Sequence, residues 1–339
     1  MNKHLNQVLT VGVIAASVAL SACGGGGGGS SGPASPATTA SAPPAASSPG
    51  STTTATSANV STPQYAAASA QLALFQTVNQ YRQQCGFGEL TENTTLDTAT
   101  ANHASYLGLN STVTDTETAG NPGFTGVSWA DRAVAAGYPQ GVTVVGASAA
   151  DNYTQTTLTE TLYGQELANE WLGGVYHIGI EILPATEIGI GVYQMTYQGY
   201  PEVWGALSLG NFNAAALSNG PLTFPCQGTT GVPYEEVSES PTPPNTSGPW
   251  GTPIAVAGNL GDTIVLASGT MTGPSGPVVN LQLLDSANDP NKSLPAYEGV
   301  AYPATPLQPN TTYTVTITGT DNGTAFSRSF AFTTGNVEG

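Results

Sequence analysis

The hydrophobic pattern of this chain changes period once, near residue 185, and that change constrains the fold class more than any other feature. Before it, apolar residues recur at helical spacing. Leu72, Phe75, Val78 and Tyr81, with Leu74 beside them, predict a helix over 64–84 that Cys85-Gly86 ends. Leu96, Ala99, His103, Tyr106 and Leu107 share one stripe of a second helix over 94–109. Ser128, with Asp131 three residues on, is a short capping box that opens a third helix, and Gly137 stops it. Leu158, Leu162, Leu167 and Trp171 mark a fourth over 156–172. After the change, 187–193 and 202–209 read as strands separated by a Tyr/Gly/Pro turn. Helices first and a sheet afterwards predict an α+β layered domain.

A Pro-rich break, Ser240-Pro241-Thr242-Pro243-Pro244, follows, and beyond it only strand-like runs occur, at 263–267, 278–284, 311–318 and 327–333. Tyr313, Val315 and Ile317 alternate with Thr, the period-2 pattern of a half-buried strand. Short strands with Gly, Asn and Pro turns predict a small β-sandwich. The expected organisation is therefore a leader (1–22), a tether (23–62), the α+β domain (63–230), a linker (231–248) and the sandwich (249–336).

The leader has a short polar start containing Lys3 and His4, an apolar run from Val8 to Leu20, and then Leu20-Ser21-Ala22-Cys23. The run is too short to span a bilayer comfortably and reads as the apolar part of a removed export signal. Leu-Ser-Ala-Cys resembles the site accepted by lipoprotein signal peptidase, which implies that Cys23 becomes a lipidated first residue. More than one acyl chain is what stable membrane attachment needs. Gly24 after Cys23, rather than Asp, leans towards the outer membrane or cell surface. Residues 24–62 are Gly, then mostly Ser, Pro, Ala and Thr, without charge or aromatic side chains, too little apolar surface to offset the entropy of ordering. In an exported chain the remaining pair, Cys85 and Cys226, reads as a disulfide, with two free buried thiols as the alternative.

The chain carries 22 acidic and 5 basic residues, a formal charge of −17. So few cations exclude nucleic acid as a partner, because almost nothing would neutralise phosphates. The membrane is contacted through the lipid anchor.

Several short motifs occur in a fixed order. Asn79-Gln80-Tyr81-Arg82 is followed by Gly86 and Leu90, then Ala101-Asn102-His103-Ala104, Gly123-Phe124-Thr125-Gly126, and Asp131-Arg132 with Ala136-Gly137-Tyr138. Trp171, His177, Leu183-Pro184 and Gly189-Ile190-Gly191-Val192 complete the series. In this order and spacing the stretch 68–212 resembles the CAP superfamily (cysteine-rich secretory, antigen-5 and pathogenesis-related proteins) in its bacterial form. The resemblance implies an α-β-α layered domain with a cleft presenting His and acidic side chains, a set suited to a divalent metal. Leu307-Gln308-Pro309-Asn310 leading into Thr311–Val315, with Phe330-Ala331-Phe332-Thr333-Thr334, resembles the later strands of fibronectin-type-III modules.

The chain departs from the CAP pattern at the cleft. Asp115-Thr116-Glu117 stands where a first His is expected. The family's Gly-Glu-Asn segment aligns either with Gly146-Ala147-Ser148, losing the acid, or with Ala150-Asp151-Asn152. His177 keeps its place, but Ile178 replaces the Arg that follows it. The candidate cleft residues are thus His177, Asp115, Glu117, Asp151 and His103. His103 lies on the apolar stripe of its helix, where a hydrogen-bonded packing imidazole is the better reading. For Asp115 or Glu117, pairing with Arg132 is an equally good role. One imidazole is thin for zinc, so no cofactor is expected, and a weakly bound divalent metal stays open.

Two functions compete. One is a non-enzymatic, membrane-anchored surface or periplasmic lipoprotein whose CAP-like domain binds a ligand, protein or glycan, with the sandwich as spacer or adhesion module. The other is a metal-assisted hydrolase acting on peptide, cell-wall or lipid substrates. The chain has no Gly-x-Ser-x-Gly nucleophile elbow, and a paired Cys85–Cys226 leaves no free thiol nucleophile.

Overall fold

A computed structural model describes residues 58–339. The expected leader, Cys23 with its expected lipidation, and the expected tether up to residue 57 lie outside the described residues. Residues 58–60, expected in the tether, are already paired with the body. Asn59 forms an antiparallel bridge with Asn93, and the Val60 N–H donates to the Glu92 carbonyl at 3.1 Å.

The elements run α1 (Ala70–Cys85), β1 (Thr91–Glu92), α2 (Thr94–Asn110), α3 (Trp129–Ala135), β2 (Val144–Asn152) and α4 (Glu160–Gly173). A 3₁₀ turn (His177–Glu181), β3 (Glu187–Tyr197) and β4 (Tyr200–Gly210) complete the first part. Side-chain caps place the helix starts: Ser69 accepts from the Leu72 N–H, Asn93 from Thr95 and Leu96, and Thr159 from Leu162. α1 therefore begins at residue 70, later than the start expected at 64. Ser128 and Asp131 form the full reciprocal capping box of α3.

The first sheet has the order β1-β3-β4-β2. On one face Ile188, Ile190, Val203, Leu207 and Leu209 meet Leu74 and Val78 of α1 and Leu167 and Trp171 of α4. On the other, Gly189 and Gly191 of β3 let the α2 backbone sit directly on the strand. A Cβ at Gly189 would stand 2.5 Å from the Asp97 nitrogen. Helices thus cover both faces, a mixed α/β layered region.

The β-rich part follows with β5 (Leu222–Phe224), β6 (Thr230–Val232), β7 (Ile254–Ala257), β8 (Ile264–Gly273), β9 (Gly276–Pro277), β10 (Leu281–Asp285), β11 (Glu298–Pro303), β12 (Thr312–Asp321) and β13 (Thr324–Thr334). They form two sheets, β10-β11-β7-β5 and β6-β13-β12-β8-β9. Tyr313, Val315 and Ile317 are buried and alternate with exposed or half-buried Thr, as their period requires. Val256, Val300 and Leu284 from one sheet share a core with Met271, Val315, Phe330 and Phe332 from the other. That same core continues into Tyr81, Phe87, Leu172, Val175 and Ile178 of the first part. The Cys85–Cys226 disulfide crosses here, tying the end of α1 to the segment between β5 and β6. Among the described residues no helix is long and apolar enough to cross a membrane.

Candidate functional site

The histidines of the described residues sit in two separate buried clusters. In the first, α2 points His103 at the segment before α3. Its Nδ1 lies 2.9 Å from Glu117 Oε1, and its Nε2 lies 3.0 Å from the Thr114 carbonyl and 3.2 Å from Ser148 Oγ. The tautomer matching a carboxylate partner carries the proton on Nδ1. Glu117 also accepts from the Thr125 N–H at 2.6 Å and the Gly126 N–H at 3.3 Å. Arg132 approaches it at 3.7 Å, donates to the carbonyls of Asp115, Gly126 and Val127, and stacks over Trp129 at 4.4 Å. Asp115 accepts from Ser148 Oγ at 3.2 Å.

The electrostatics fit a closed structural network. Burial lowers the His103 pKa, and its bond to Glu117 opposes that only in part. Burial pushes Glu117 up, but the His103 bond, the Thr125 N–H and Arg132 together hold it below its ordinary value. Burial brings Arg132 down to about 10 against the attraction of Glu117 and Asp115. Ser148, His103 and Glu117 do stand side by side in the order of a serine nucleophile, its base and an orienting acid, but the one hydroxyl proton of Ser148 is directed at Asp115. His103 and Ser148 are 0 % exposed and Glu117 2 %, so no substrate carbonyl reaches the hydroxyl.

In the second cluster His177, 3 % exposed, opens the 3₁₀ turn and faces the second half of the chain. Its Nδ1 lies 2.7 Å from Glu239 Oε1. The Glu239 carboxyl also accepts three successive backbone N–H groups, from Val175 (2.8 Å), Tyr176 (2.8 Å) and His177 (2.9 Å). This row of amides is an anion nest, and a side chain of the protein itself fills it.

The candidates named from sequence are therefore only partly brought together. His103, Glu117 and Asp115 belong to one network with Arg132 and Ser148. His177 belongs to the other. Asp151, on β2, accepts from the Tyr153 hydroxyl at 3.0 Å and is in neither. Sequence reasoning missed Glu239 and Ser148. Glu239 is 62 residues from His177 in a segment expected to be a linker, and no local spacing signals it. Among the described residues no group of three or more His, Cys, Asp or Glu side chains is arranged to hold a metal ion. A cavity of about 380 Å³ lies among Pro221, Asp262, Asp321 and Phe326, and none of the sequence candidates lines it.

No family model and no curated protein matches the chain. Among solved structures it is similar to an outer surface protein from Borrelia burgdorferi, at 17% identity and a TM-score of 0.31, over 42% of this chain and 92% of that one. A likeness of this degree carries no argument about function.

Proposed function

We propose that this chain is a lipid-anchored cell-envelope protein, exposed at the outer membrane or cell surface, whose folded part displays a binding surface and performs no chemistry at its histidines. The observation that carries this reading is the closure of both imidazole clusters, with His103, Glu117, Arg132, His177 and Glu239 all 4 % exposed or less. These side chains are enclosed and bonded inside the protein, His103 through both ring nitrogens and His177 through Nδ1 while its buried Nε2 has no partner, and such bonds hold loops in place. The order of motifs over 68–212, together with helices on both faces of the first sheet, supports a CAP-like domain. The two sheets sharing one core support a fibronectin-type-III-like module after it. The anchor rests on Leu20-Ser21-Ala22-Cys23, and the partner is a ligand, protein or glycan.

Two measurements test this. Palmitate labelling in a bacterial host is expected for the wild-type chain and lost in Cys23→Ser. An unlabelled wild type removes the anchor from the account. Diethyl pyrocarbonate applied to the folded mature protein is expected to leave His103 and His177 unmodified. Prompt modification of either would show an open site and sink the display reading.

A further inference from the structure

Three glycines at the end of α4 and in the turn after it lie against carboxyls from the second half of the chain, and at Gly173 and Gly174 a side chain would crowd the carboxyl out. A Cβ at Gly173 would stand 2.8 Å from Glu236 Oε2, one at Gly174 2.7 Å from Glu239 Oε1, and one at Gly179 3.6 Å from Glu298 Oε2. All three acids are buried. Only Glu239 has a full set of donors. Glu236 accepts the Val237 and Ser238 N–H groups on Oε1 and leaves Oε2 without a partner, and Glu298 Oε1 has none either. No Lys or Arg among the described residues pairs with any of them.

The surrounding elements add more negative than positive charge. Glu170 faces Glu236 from α4, and Glu181 comes from the 3₁₀ turn. Asp289 and Tyr302 come from the β-rich part, with Tyr176 bonded to Asp289 at 2.9 Å. Tyr297 adjoins Glu298. The cation facing this region, Arg82, acts on Glu181 and donates to the carbonyls of Gly88, Ile180 and Leu183. His177 is bonded to Glu239.

We propose that this seam is a pH-gated joint: protons held on Glu236 and Glu298 keep the α/β part and the β-rich part docked, and their loss on alkalinisation loosens the docking. Glu236 and Glu298 are enclosed near other carboxyls with no Lys or Arg paired to either among the described residues, and carboxylates so placed cannot all ionise. Burial and then the Glu239 charge push Glu298 up to about 8. Burial and then Glu170 raise Glu236 well above its ordinary value, and burial raises Glu181 in the same sense against Arg82. The docked state therefore holds protons that the open chain releases. The stabilisation from Glu298 is complete below the ordinary value near 4.5 and is lost as pH rises through about 8.

The test is hydrogen exchange at the Val175, Tyr176 and His177 amides, which bind Glu239 across the seam, together with the melting temperature, from about pH 6 to about pH 9. In the wild type, protection at these amides is expected to fall by about ten-fold per pH unit for each proton released. Glu298→Gln, which keeps the shape and cannot ionise, is expected to flatten that slope, and Glu236→Gln serves the same purpose if the first variant folds poorly. Gln variants that keep the wild-type slope, or wild-type protection independent of pH, overturn the proposal.

Discussion

Glu117 shows how one residue can hold several others. It bonds His103 and two backbone N–H groups and approaches Arg132, with His103, Glu117 and Arg132 all buried. Glu117→Ala is expected to lower stability by about 3–5 kcal/mol, the usual cost of leaving a buried partner unpaired, measured as a drop in the urea midpoint. His103 and Glu117 both have lowered pKa values, so their contribution is present at neutral pH. It is lost as pH falls, first through the ordinary His range and then through that of Glu117. Loss of stability towards acid should therefore be weaker in His103→Gln than in the wild type, read from melting temperatures at about pH 7 and about pH 5. Gly174 is the converse case, since its missing side chain is what lets Glu239 in. Gly174→Ala is expected to cost about 1–3 kcal/mol through crowding, seen in the same urea titration. The helical stripe pointed to His103 as a packing residue. Nothing near His177 pointed to Glu239, because that contact exists only once two distant segments dock.

At the scale of elements, the four helices and the β3–β4 hairpin were legible because each carries its own signal: a cap, an apolar stripe or a run of β-branched residues. β2 was not, since Val-Val-Gly-Ala-Ser-Ala-Ala-Asp-Asn is poor in residues of high strand propensity. Packing explains the composition. A Cβ at Gly146 would stand 2.6 Å from the Trp129 ring, and Ala147 and Ala149 fill the narrow layer on the opposite face. β7 and β11 are buried along their whole length, so they show no alternation either. The disulfide was legible from the cysteine count, and its closure of 141 residues makes it a strong restraint on the unfolded chain. Cys85→Ser with Cys226→Ser is expected to lower unfolding free energy by about 2–4 kcal/mol. A urea titration checks this, and an unchanged midpoint would mean the crosslink only decorates the fold.

For the whole molecule, the segment 231–248 is the part whose role a sequence pattern could least convey. Its prolines suggest a span between independent domains, yet it carries Glu236 and Glu239 into the seam. The neighbouring Trp250 donates its indole N–H to the Gly173 carbonyl at 3.0 Å. The core from Phe87 and Ile178 to Val315 and Phe332 is continuous. Cutting the chain after Pro244 would divide this one core, so neither part has a complete core alone. On this account the anchor carries one welded body, with its imidazoles acting as internal fasteners. Differential scanning calorimetry of the mature protein at about pH 6, where Glu236 and Glu298 hold their protons, tests this most directly. A single transition whose calorimetric and van't Hoff enthalpies agree is the expected result. Two separated transitions, each surviving in its isolated half, would contradict it.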